Sequence, residues 1–94
     1  MLEVGVLQFT VRLRGCRSLK AKRRIIKSIK DRLRSRYNVS IAEVDDLDVY
    51  QSGTLGLAAC GNDSRRIVSE LQKIVDQLRG HPEAELLDHQ IDIL

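Results

Sequence analysis

Apolar and polar residues alternate with period two over residues 2–14 (LEVGVLQFTVRLR), which predicts a strand with Leu7, Phe9, Val11 and Leu13 on one face. Leu2, Val4 and Val6 have the opposite parity. Either something covers that second face or a bulge shifts the register. Gly15-Cys16-Arg17 breaks the strand, and Ser18 stands where an N-cap is needed. From Leu19 the period lengthens to that of a helix. Leu19, Ile26, Ile29, Leu33 and Tyr37 recur at steps of seven, three, four and four, with Ile25 at the stripe's edge.

Residues 38–49 (NVSIAEVDDLDV) read as a second strand, Tyr50-Gln51-Ser52-Gly53 as a turn, and TLGLAACG as a third strand with Leu55, Leu57 and Ala59 on one face. Asn62 or Asp63 caps a second helix, whose apolar stripe is Ile67, Val68, Leu71, Ile74, Val75 and Leu78. Gly80-His81-Pro82 ends it, and residues 84–94 form a last strand using Leu87, Ile91 and Ile93. The order β-α-β-β-α-β has one usual solution under right-handed, short connections. This is the α+β ferredoxin-like sandwich, an antiparallel sheet ordered 4-1-3-2 with both helices on one face. Val4, Val6, Ala42, Val44, Ala58 and Cys60 have the parity to lie on the other face, and most are small or apolar. A homodimer through that open face is the corresponding expectation.

At 94 residues the chain holds one small domain, spanning residues 1–94, with no linker or low-complexity segment. A composition of 43% hydrophobic and 31% charged residues excludes a disordered or collagen-like chain. No apolar run approaches the roughly 18 residues of a membrane span, and Met-Leu-Glu-Val opens no secretory signal, so a cytoplasmic protein is expected. Cys16 and Cys60 lack the spacing of a zinc or redox motif, and no cofactor is expected.

Charge changes the picture more than composition does. The net charge of +3 conceals twelve basic residues against one acid, Asp31, between Arg12 and Arg36, whereas the remainder of the chain holds four basic residues against twelve acids. On a helical wheel Lys20, Arg23, Arg24, Lys27, Lys30 and Arg34 span an arc of about 120° beside the apolar stripe. Arg17 precedes them at the helix N-terminus, and Arg12 and Arg14 lie in the approach. Such a surface attracts phosphate backbones by Coulomb forces and counterion release. A-form RNA is met mainly through phosphates and 2′-hydroxyls, which this stripe can serve without reading sequence. The plain alternative is a solvated face that keeps a small domain soluble. Stacking of bases on the sheet is disfavoured, because Phe9, Tyr37 and Tyr50 are the only aromatics. Gly53-Thr54-Leu55-Gly56 matches a KH-type GXXG by chance, since it sits at a hairpin.

Ser18-Leu19-Lys20-Ala21-Lys22-Arg23-Arg24, then Asn38-Val39-Ser40-Ile41-Ala42-Glu43-Val44-Asp45, Thr54-Leu55-Gly56 and Asn62-Asp63 together resemble the YlxP-like family of small bacterial proteins, domain of unknown function 503. The resemblance implies a ferredoxin-like fold and no known enzyme activity. Genes of the family commonly neighbour those of translation and ribosome-maturation factors, which implies a place near RNA.

Three enzymatic or metal readings remain as minor alternatives. Glu43, Asp45, Asp46 and Asp48 read as a solvated strand end that discourages edge pairing, because strand neighbours point to opposite faces and at most Glu43 with Asp45, or Asp46 with Asp48, could cooperate on a metal. Acylphosphatases share the element order and hold phosphate where this chain has Gly15-Cys16-Arg17-Ser18, with Asn38 as a candidate to orient water, yet the rest of that loop signature is missing. Cys16 near Arg14 and Arg17 reads as a free loop cysteine, and Cys60 as a packed one. His81 and His89 lack metal-ligand spacing. The combined expectation is a non-enzymatic protein that binds RNA or a ribosomal particle through Arg17, Lys20, Arg23, Arg24, Lys27, Lys30 and Arg34, with no membrane partner; the alternative is a homodimeric protein-interaction or small-ligand regulatory module.

Overall fold

The period-two pattern of the first segment survives folding intact. In the computed structural model, which describes residues 1–94, Leu7, Phe9 and Val11 of β1 (Glu3–Arg12) are buried, and Leu13 just beyond it is buried too. The other elements are α1 (Leu19–Arg36), β2 (Ser40–Asp45), β3 (Ser52–Gly61), α2 (Ser64–Arg79) and β4 (Glu85–Ile93). The antiparallel sheet runs β2-β3-β1-β4, the expected ferredoxin-like order with β1 and β3 central. Leu7, Phe9, Val11, Leu55 and Leu57 join Ile26, Ile29 and Leu33 of α1 and Leu71, Ile74 and Leu78 of α2 in one core. No helix is long and apolar enough to cross a membrane.

The ends of the helices follow from local chemistry. Gly15 turns the chain with φ +73°, a conformation that costs glycine little and other residues more. Ser18 then accepts a hydrogen bond from the Ala21 N–H at 3.0 Å, satisfying one of the free donors of α1's first turn. Tyr37 closes α1 by donating its N–H to the Leu33 carbonyl at 2.9 Å. Of the two candidate caps for α2, Asp63 serves, with Oδ1 accepting from Arg65 N–H at 3.0 Å.

The register settles the two-faced start of the first strand. β1 pairs with β3 without interruption from Glu3↔Gly61 to Arg12↔Ser52, so Val4 and Val6 keep their parity and lie on the face away from the helices. The bulge is in the β1–β4 pairing, between Thr10 and Val11. It reverses the expected parity only at the start of the last strand, where Leu86 takes the core side in place of Leu87, and Ile91 keeps its expected side. Leu86 and Ile91 pack against the core, while Leu87 and Ile93 are 46% and 38% exposed.

The second and third strands also need correction. β2 ends at Asp45 and not at Val49, and the connection is a loop from Asp46 to Gln51. Asp46 takes φ +58° and donates its N–H to the Asp45 side chain at 2.8 Å, a local bond that competes with the strand ladder. Gly53 accordingly lies inside β3 instead of in the turn.

Candidate nucleic-acid interface on the first helix

Helical geometry carries the basic residues of α1 to the side opposite its buried stripe. Lys20, Arg23, Arg24, Lys27 and Arg34 are exposed, Lys30 is half-buried, and Arg17 is exposed just before the helix. The structure therefore brings all seven onto the outward flank of α1 and its N-terminal approach. They differ in how free their charges are. Lys27 Nζ lies 2.6 Å from Asp31 Oδ2, and Arg34 Nη1 lies 3.9 Å from Asp31 Oδ1. Arg24 Nη2 lies 3.3 Å from Glu83 Oε2 in the α2–β4 connection. Arg17, Lys20, Arg23 and Lys30 have no carboxylate within ion-pair distance. Seven cations against the two carboxylates Asp31 and Glu83 leave five positive charges in excess on this flank.

Asp31 sits within the cationic arc and responds to it. The hydrogen bond from Lys27 pulls its carboxyl below the usual carboxylate range, the charges of Lys27, Arg34 and Lys30 act in the same direction, and slight desolvation opposes them. Arg34 has a second task. Its Nη2 donates to the Ile41 carbonyl at 3.1 Å, and Ile41 belongs to β2, an edge strand. A guanidinium on the edge blunts unwanted strand pairing. Arg12 and Arg14, in contrast, are drawn away from α1. Arg14 Nη2 reaches both Glu85 oxygens at 2.8 Å, and Arg12 Nη1 lies 3.6 Å from Glu85 Oε1.

One lysine of this segment does not belong to the surface at all. Lys22 is 1% exposed. Its Nζ donates to the carbonyls of Asp46 at 2.6 Å and Val49 at 2.5 Å, and lies 2.8 Å from Glu43 Oε2. That oxygen receives no aligned hydrogen bond, so the attraction between Lys22 and Glu43 is one of charge. Gly53 lies beside the pair, where a Cβ would meet Lys22 Cε at 3.5 Å and Glu43 Oε2 at 3.6 Å in ordinary contact and would crowd only Ile26 Cδ1, at 3.2 Å. Glu43 therefore leaves the expected solvated strand end, whereas Asp45, Asp46 and Asp48 are exposed and form no ion pair. The signal for Lys22 was present in the spacing. The step of seven from Leu19 to Ile26 passes over position 22, three residues after one stripe member and four before the next.

Both cysteines are free, and Cys16 lies in the β1–α1 loop as expected. Cys16 is buried in the core and donates its thiol to the Ser18 carbonyl at 3.5 Å, and Cys60, expected to pack, is exposed on β3. The α2–β4 connection holds His81 near α1. Burial and the charge of Arg32 lower its pKa below the ordinary 6.5, against the smaller pull of Glu83. Its Nδ1 accepts the Glu83 N–H at 3.0 Å, a bond available only while that nitrogen is unprotonated.

Comparison with known proteins agrees with this architecture. A protein described as "Uncharacterized protein YlxP" from Bacillus subtilis (strain 168) is 35% identical over 68 residues, which cover 72% of this chain and 74% of the relative. A family model described as "Protein of unknown function (DUF503)" matches residues 4–91. With nearly the whole sheet and both helices inside that match, the chain belongs to the YlxP-like DUF503 family.

Proposed function

We propose that this protein is a non-enzymatic binding protein that docks α1 on the phosphate backbone of RNA, in a ribosomal or ribosome-associated setting. The observation that carries the reading is the excess of five positive charges on one flank, with Arg17, Lys20, Arg23 and Lys30 free of any carboxylate. A face designed only for solubility mixes both signs, so that neighbouring charges cancel. Here the cancelling acids are confined to Asp31 and Glu83. Arg17, Lys20 and Arg23 form the leading contacts, because binding phosphate requires none of them to break an ion pair first. Lys30 adds a partly buried charge, and Arg24, Lys27 and Arg34 exchange an internal carboxylate for a phosphate.

Affinity for a short RNA duplex and for ribosomal particles is measured by fluorescence anisotropy or cosedimentation across a salt series. About five phosphate contacts give a log–log slope of about −4 against salt concentration. Replacing Lys20 and Arg23 together by Glu abolishes binding without unfolding, since both side chains are exposed. A salt-independent affinity, or binding unchanged in that variant, refutes the reading.

A further inference from the structure

The turn between α2 and β4 ties the half-buried ring of His81 to the cationic flank of α1. Pro82 carries no N–H, so the first free donor after His81 is the Glu83 amide, and its acceptor is His81 Nδ1 at 3.0 Å. The His81 backbone is itself anchored, donating its N–H to the Leu78 carbonyl at 3.1 Å. The Glu83 side chain then reaches across to α1, with Oε2 3.3 Å from Arg24 Nη2. Ring, amide and carboxylate form a chain from a titratable group to one of the cations that face solvent on α1. It holds in one protonation state only, since an imidazolium has no lone pair with which to accept the Glu83 N–H.

Charges face the ring from every element around it. Arg32 of α1 shares a crevice between the helices with His81. Arg12 and Arg14 at the end of β1, Arg79 at the end of α2, and Glu83 and Glu85 line an open cleft of about 330 Å³ on its other side. Most of these are already paired: Arg12 and Arg14 with Glu85, and Arg79 with Asp76 at 3.6 Å. Arg32 has no carboxylate within ion-pair distance. Burial and Arg32 hold the ring neutral at pH 7, while the carbonyl end of α2 beside it favours the imidazolium. A phosphate brought to the flank offsets Arg32 and tips this balance toward the protonated ring.

We infer that this turn is a proton-operated latch on α1: protonating His81 frees Glu83 from Arg24 and sets a positive charge beside Arg32, and, given the RNA docking proposed above, the flank then holds phosphate more tightly. On protonation Nδ1 becomes a donor facing another donor, so the Glu83 amide loses its partner and the turn shifts. The imidazolium also competes with Arg24 for the Glu83 carboxylate, and an exposed pair at 3.3 Å is weak enough to give way. Linkage makes the effect reciprocal. RNA that binds the protonated form better raises the pKa of His81 by the same free energy.

Two readouts test the latch and its consequence separately. An NMR titration of the free full chain between about pH 7.5 and 5.5 follows the His81 ring, the Glu83 amide and the Arg24 guanidinium, and requires no variant to fold. The expected result is that the Glu83 amide loses protection from exchange and the Arg24 signal moves with the same midpoint as the ring. Fluorescence anisotropy with a short RNA duplex over the same range compares wild type with His81→Asn, whose side-chain oxygen still accepts the Glu83 N–H but whose charge never changes. Wild type tightens on acidification by about three-fold more than the variant, the worth of one exposed charge pair. Glu83→Gln, which leaves Arg24 unpaired at every pH, binds more tightly than wild type already at about pH 7.5. Glu83 and Arg24 signals indifferent to the ring overturn the latch whether or not RNA binds. Equal tightening of wild type and His81→Asn overturns its control of phosphate binding. If the duplex binds at no pH while Glu83 and Arg24 follow the ring, the latch stands and the docking reading falls.

Discussion

Removing the ammonium of Lys22 tests the most consequential feature of the interior. In Lys22→Met the thioether chain occupies much of the lysine stem's volume, while the carbonyls of Asp46 and Val49 lose a donor at 2.6 and 2.5 Å and Glu43 loses its counter-charge at 2.8 Å. Breaking a buried ion pair from one side costs about 3–5 kcal/mol, because the abandoned charge remains desolvated. The Glu43 side chain is 16% exposed, and the loop carbonyls gain water if the loop loosens, so the lower end applies, about 3 kcal/mol. A domain of this size has roughly 5–14 kcal/mol in total, and each kcal/mol moves Tm by about 4–8 °C, so the melting point falls by roughly 12–24 °C. The assay is urea and thermal unfolding by circular dichroism, completed as a double-mutant cycle with Glu43→Leu. The double variant has no stranded charge, and its stability returns to within about 1.5 kcal/mol of wild type. Amide exchange at residues 46–49 accelerates in Lys22→Met more than exchange in α2. A cost below about 1 kcal/mol, or single costs that simply add in the double variant, would refute the assignment of Lys22 and Glu43 as a coupled buried pair.

Other outcomes follow from single contacts. Asp31→Asn releases Lys27 and Arg34 from their shared carboxylate and raises RNA affinity several-fold at low salt, with a steeper salt slope; an unchanged affinity would place the RNA contact elsewhere. Gly5→Ala drives a methyl to 2.5 Å from Ile67 Cγ2, where α2 crosses β1, and costs about 1–3 kcal/mol in urea unfolding. His81 binds a proton less readily when folded than when unfolded, so stability is full above pH 6.5 and declines as pH falls through the lowered folded value. His81→Asn flattens that decline in melting-temperature measurements below pH 6.5, and an unchanged pH profile would count against the shift.

Much of this molecule was legible in one dimension because its signals are local and periodic. Alternation placed Leu7, Phe9, Val11 and Leu13 inside, and the stripe from Ile67 to Leu78 marked α2, since a strand or helix must bury one face whatever its neighbours are. Ser18 and Asp63 announced their helices, and the angular arc of Lys20, Arg23, Arg24, Lys27, Lys30 and Arg34 follows from helical geometry alone. Tertiary structure decided what depends on partners distant in sequence. Leu86 turned inward and Leu87 outward because of a bulge opposite Thr10 and Val11, which no pattern within the last strand encodes. Arg12 and Arg14 left the basic flank for Glu85, and Asp31 and Glu83 divided its cations into paired and free ones. Lys22 marks the boundary most clearly. Its position on the buried stripe was written in the spacing, but a lysine is tolerated there only because β2 brings a carboxylate, and the loop after it two carbonyls, to the same point in space.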